Sequence, residues 1–192
     1  MNLDAVRGLS QPDQRTCGPT SLVAAHMLLD PAYAATQNPK VFATSVVALH
    51  RELTAPSASG RARPGELRAT GTPPWAAARA MTSFTGLPYR TRVVRLGGRS
   101  DDFDAVASAV TDGHPVPLYV GSTWRGSHVV LAVGRTADGV DLYNPAHGRI
   151  SELTRAAFEA GELTTTGRWD TPWFVITPRG RPGTSGGTSP EA

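Results

Sequence analysis

The sequence predicts an α+β fold, with N-terminal helices packed on a C-terminal antiparallel β-sheet, and three observations predict it. The first half of the chain carries apolar residues at helical spacing, the second half carries short apolar or alternating runs, and Asp138-Gly139 marks a tight hairpin between two of those runs. A chain of 192 residues, 40% hydrophobic and 18% charged, is long enough for one well-buried core and short for two. One domain is expected over residues 1–178. The tail 179–192, rich in Gly, Pro, Ser and Thr, has no apolar anchor and is expected to be disordered.

The first helix is expected from about Gly18 to Leu29. Leu22, Val23, Ala25, Met27, Leu28 and Leu29 make it apolar nearly all round, which places it centrally, and Asp30-Pro31 ends it. A second helix is expected from Pro39 to Leu53, with Val41, Phe42, Val46, Leu49 and Leu53 at helical spacing. The stretch 54–74, rich in Ala, Pro, Ser, Gly and Arg and without periodicity, is expected to be a long surface connection of the kind that serves as a lid. A third helix is expected to start at Pro73-Pro74-Trp75 and run to Gly86, since Pro suits a first turn and Gly a C-terminus. A strand over 89–96 and a helix over Asp101–Asp112 follow. Strands are then expected at 115–121, 127–135, 140–144 and 173–177, with a short helix at 153–160.

Composition excludes several function classes. Nineteen basic against sixteen acidic residues leave a net charge of only +3, with no run of like charge and no basic stripe interleaved with aromatics, so nucleic acid is not the expected partner. No window approaches the roughly 18 apolar residues of a membrane span, so no membrane insertion is expected. Met1–Arg7 lacks the apolar segment of a signal peptide; the expected location is cytoplasmic, with signal-independent secretion left open.

The one cysteine, Cys17, can make no internal disulfide and no multi-cysteine zinc site, which points to reactivity. It precedes the apolar helix, where the positive end of the helix dipole favours thiolate and is expected to lower the thiol pKa. Gln11 stands six residues upstream as a side-chain N–H donor for an oxyanion, with Gln14 as the alternative. Five histidines compete for the role of base. His26 and His50 lie in helices and His114 in a turn; His128 stands at the mouth of the strand Val129-Val-Leu-Ala-Val133, and His147 is the reserve. Pairing around the Asp-Gly turn brings Asn144 back toward His128, so its amide oxygen can fix the imidazole tautomer. Asp141 is the rival orienter, but three residues away it belongs to the other face of the strand.

Gln11-Pro-Asp-Gln-Arg-Thr-Cys17-Gly18-Pro19, then Gly126-Ser-His128-Val-Val, then Leu142-Tyr-Asn144-Pro145 resemble, in order and spacing, the motifs of papain-like cysteine peptidases. The similarity is greatest to the bacteriocin-processing branch that cleaves double-glycine leader peptides. The resemblance implies a papain-like fold, with Gln11 in the oxyanion hole, Cys17 as nucleophile, His128 as base and Asn144 as orienter, a position where that branch usually has Asp and papain has Asn. Gly18, Trp124, Gly126 and Ser127 flank these residues and are the expected substrate contacts.

The expected activity is thiol-dependent hydrolysis of a peptide or isopeptide bond in a peptide or protein substrate, without a cofactor or metal. Acyl transfer to an amine, as in a transglutaminase-like enzyme, uses the same residues, and a non-catalytic binding protein on the same scaffold is the third reading. Arg125 and the arginines of 61–68 could favour an acidic group. Gly97-Gly98 and Gly186-Gly187 raise self-cleavage, and Cys17, His128 and His147 a zinc site; both are minor readings.

Overall fold

A computed structural model describes residues 1–55, 71–124, 126–167 and 169–179. Most of the expected connection 54–74, Arg125, Gly186-Gly187 and nearly all of the expected tail lie outside the described residues.

A 3-10 turn at Leu3–Ala5 precedes α1 (Cys17–Leu29), α2 (Pro31–Ala35), α3 (Pro39–Thr54) and α4 (Pro74–Thr85). Then come β1 (Tyr89–Val93), α5 (Arg99–Thr111), β2 (Val116–Gly121), β3 (Gly126–Arg135), β4 (Gly139–Asn144), β5 (Arg149–Thr154), α6 (Arg155–Ala160), a second 3-10 turn at Thr164–Thr166 and β6 (Thr171–Pro178). All strand pairs are antiparallel, in the order β1-β6-β2-β3-β4-β5.

The sheet is covered on both faces. On one face Val129, Leu131, Val133 and Tyr143 pack with Leu22 and Val23 of α1, Phe42 of α3 and Met81 of α4. On the other, Val130, Ala132 and Leu142 pack with Phe103 and Val106 of α5 and Phe158 of α6. Two-sided burial is why β3 has an unbroken apolar run rather than an alternation. The helices are therefore not confined to one side, and the sheet does not wait for the second half of the chain: β1, from before α5, pairs with β6. Among the described residues no helix is long and apolar enough to cross a membrane.

Two elements escaped the sequence. Of its apolar side chains β5 buries Leu153 fully and Ile150 in part, too little alternation to mark a strand, and Leu153 lies in β5 rather than opening the helix expected at 153–160. α2 is five residues long; Asp30, expected only to stop α1, also caps α2 by accepting the N–H groups of Ala32 and Tyr33 at 2.9 and 3.0 Å.

The β3–β4 connection forms where Asp138-Gly139 predicts it, but for a different reason. Neither residue has a positive φ. Gly139 is required by the close approach of β5, because a Cβ there would stand 2.0 Å from the Leu153 carbonyl oxygen. Gly139→Ala is expected to lower folding stability by about 1–3 kcal/mol, the usual cost of forcing atoms into filled space. Urea denaturation measures it, and an unchanged midpoint would contradict the close approach.

Candidate active site

Cys17 opens α1, and the turn before it leaves the helix end free. Thr16 occupies the N-cap position without a side-chain cap, its hydroxyl donating instead to the Asp13 carbonyl at 3.1 Å. The first-turn N–H groups of Cys17 and Gly18 are thus left to donate toward the sulfur, and the N–H of Val129 joins them from β3. Ser21 Oγ donates to Val129 O at 3.2 Å and fastens α1 to the same point of the strand. The sulfur therefore sits beside the backbone that immediately follows His128.

Gly18 is packed rather than open. A Cβ there would lie 2.6 Å from Thr72 Oγ1 and 2.7 Å from Thr72 Cβ, so only glycine lets Thr72 close on the helix end. Thr72 is held in turn by Tyr119, whose hydroxyl donates to the Thr72 carbonyl at 2.9 Å.

His128, near the start of β3, and Asn144, the last residue of β4, are brought together by the pairing of these strands, and His128 Nε2 meets Asn144 Oδ1 at 2.9 Å. The same Oδ1 accepts the backbone N–H of Ala146 at 3.1 Å. A backbone N–H can only donate, so the atom between it and the ring is an acceptor. Nε2 therefore carries a proton, and in the neutral ring Nδ1 carries the lone pair. Asp141, the rival orienter, pairs across to Gly134 and Glu152 farther down the strand. His147 is exposed, its N–H donating to Asn144 O at 3.2 Å.

One site residue was missed. Trp169 stacks on the His128 ring, centroids 4.2 Å apart and planes 16° from parallel. A lone large aromatic in the polar stretch Gly161–Asp170 was the available signal, but nothing local names its partner.

Gln11 joins the cluster through its backbone, its N–H donating to Pro145 O at 2.8 Å, one residue past Asn144. Its Oε1 is buried without a partner among the described residues, whereas Gln14 is exposed. Trp124 is 88% exposed, and Gly126 opens β3 opposite Gly121, with Ser127 between it and His128. His26 is stacked between Tyr33 and Phe84, away from this site. No group of three His, Cys, Asp or Glu side chains among the described residues is placed to hold a metal.

Burial decides the electrostatics. It pushes the Cys17 thiol above its ordinary value against the three backbone donors. It also depresses His128 below the ordinary histidine value, opposed by the Asn144 hydrogen bond and aided by the charge of His147. The lowered thiol pKa expected from the helix dipole is thus reversed: burial favours the neutral thiol and the neutral imidazole.

No family model matches the chain, and no curated protein matches it. Among solved structures, a Bacillus anthracis protein described as a C39-like peptidase is similar with a TM-score of 0.53 and 14% identity, over 91% of this chain and 94% of that one. Others are the double-glycine motif protease of an AMS/PCAT transporter in complex with the leader peptide (TM-score 0.46, 16% identity, 89% and 90% covered) and the Pseudomonas avirulence protein AvrPphB (0.49, 12%, 92% and 98%). The chain has the C39-like peptidase fold, as its motifs led one to expect.

With the neutral thiol favoured, alkylation of Cys17 by iodoacetamide should be slow at pH 7 and climb with thiol ionisation, past the free-thiol value of about 8.5. The rate–pH profile measures this, and a fast plateau spanning neutral pH would contradict it.

Proposed function

We propose that the protein is a cysteine peptidase-like hydrolase that cleaves a peptide or isopeptide bond through a thioester acyl-enzyme. The observation that carries this reading is the hydrogen-bonded His128–Asn144 pair, near the start of β3 and at the end of β4, with His128 one residue from the N–H that meets the Cys17 sulfur.

Burial disfavours the charged form of both groups, which supports His128 as a general base during attack rather than as half of a preformed ion pair. Nδ1 takes the thiol proton as the Cys17 sulfur bonds to the substrate carbonyl carbon, and the carbonyl electron pair moves onto oxygen. The Cys17 N–H, at the uncapped helix end, and the Gln11 side-chain amide stabilise that oxyanion. Collapse of the intermediate expels the amine, which leaves with the proton held by His128. Water, deprotonated by Nδ1, then attacks the thioester; the acid departs and the proton returns to sulfur. Asn144 holds the ring so that the same nitrogen serves every transfer. Trp169, flat on the ring, keeps water from the Nε2–Oδ1 bond.

Cys17→Ala is expected to remove both turnover and labelling by a peptide-based thiol electrophile. Gln11→Ala should lower kcat/KM by about 10²- to 10³-fold, the cost of losing an oxyanion donor, while Gln14→Ala stays close to wild type. Steady-state kinetics on cleaved library peptides measure both. Equal losses at the two glutamines would contradict the assignment of Gln11.

A further inference from the structure

The same end of the sheet carries an arginine that the chemistry above does not use. The N–H of Val94, just past β1, donates to Trp173 O at 3.0 Å, and the next residue, Arg95, lays its guanidinium 4.1 Å over the Trp173 ring. Arg92 is paired with Asp102, and Arg155 with Asp104 and Glu159; no carboxylate among the described residues pairs with Arg95. On its other side Trp173 donates Nε1–H to Ser122 O at 3.0 Å. It thereby joins the loop after β1 to the β2–β3 loop, which runs directly into His128. Leu96 and Trp124, one on each of these loops, are 87% and 88% exposed.

A guanidinium held over an indole ring by cation–π attraction keeps its N–H groups for other partners, and a carboxylate can take them in two parallel hydrogen bonds. Position follows from the strand register. Tyr119 pairs with Phe174 on one side and with Val129 on the other, so Trp173 stands two strands from the backbone adjoining His128. That is about 10 Å at the usual strand spacing, and an extended peptide advances about 3.3 Å per residue. About three residues thus separate a carbonyl held at Cys17 from a side chain at Trp173.

We infer that Arg95, laid on Trp173, is a subsite for an Asp or Glu side chain of the substrate, about three or four residues from the scissile bond, with Leu96 and Trp124 as apolar flanks. This rests on the hydrolase function proposed above and deepens it by naming an acidic peptide as the substrate class.

The test uses fluorophore-labelled dodecapeptides of one cleaved or bound frame, carrying Asp, Asn or Lys at each position in turn. In the full-length protein, Asp at one position three or four residues from the cleaved bond should raise kcat/KM at least about tenfold over Lys. Arg95→Gln should erase that ratio and Arg95→Glu should invert it, each variant first shown by thermal melting to be folded. The same set is titrated by fluorescence polarisation against Cys17→Ala, alone and combined with Arg95→Gln. Charge-selective binding that Arg95→Gln abolishes, without cleavage by the wild type, would support the subsite and overturn the hydrolase. Cleavage or binding indifferent to charge, a preference that survives Arg95→Glu, or no binding of any peptide would overturn the subsite.

Discussion

The bond between His128 Nε2 and Asn144 Oδ1 is the interaction on which the site depends. It joins adjacent strands, is buried, and is locked in one sense by the Ala146 N–H on the same oxygen. A rotated amide would set donor against donor at Ala146 and leave a buried group unpaired, at a cost of about 1–3 kcal/mol. The backbone turn after β4 therefore dictates the amide, the amide dictates the tautomer, and the tautomer leaves the lone pair on Nδ1. The remaining features position the proposed nucleophile: α1 begins at Cys17, Ser21 pins the helix to Val129, and Gly18 admits Thr72.

Competition between burial and the helix end sets the resting charges. A helix dipole contributes about 0.3–1 kcal/mol at an exposed end and up to about 2 in a partly buried one. Withdrawing an ion from water costs more than that unless a partner charge compensates. Cys17 and His128 are 8% and 4% exposed, so burial prevails at both, and in opposite directions on their pKa values. Under the proposed function, a buried thiol disfavoured as thiolate is a quiet group until a substrate carbonyl arrives and His128 takes its proton.

The sequence made the β3–β4 hairpin legible because Val129–Val133 is apolar throughout and Asp138-Gly139 interrupts it; from the hairpin, the proximity of His128 and Asn144 follows. α1, α3 and α4 were legible from spacing and from prolines at their starts. β5 was not, because an edge strand with one well-buried side chain has almost no pattern, and α2 is too short to show one. The partnership of Trp169 with His128, the packing of Gly18 under Thr72 and the sign of the thiol shift are tertiary facts: each depends on what distant segments bring to the sulfur or the ring. Gly139 shows the same limit in miniature, a glycine correctly placed in a turn but needed for the strand behind it.

The state of the His128 ring is the most direct measure of whether this order holds. Long-range ¹H–¹⁵N correlation spectra of the free protein at pH 7 distinguish the two neutral tautomers from imidazolium. The account predicts a neutral ring with Nε2 protonated and Nδ1 carrying the lone pair. A doubly protonated ring, or a proton resident on Nδ1 alone, would contradict it.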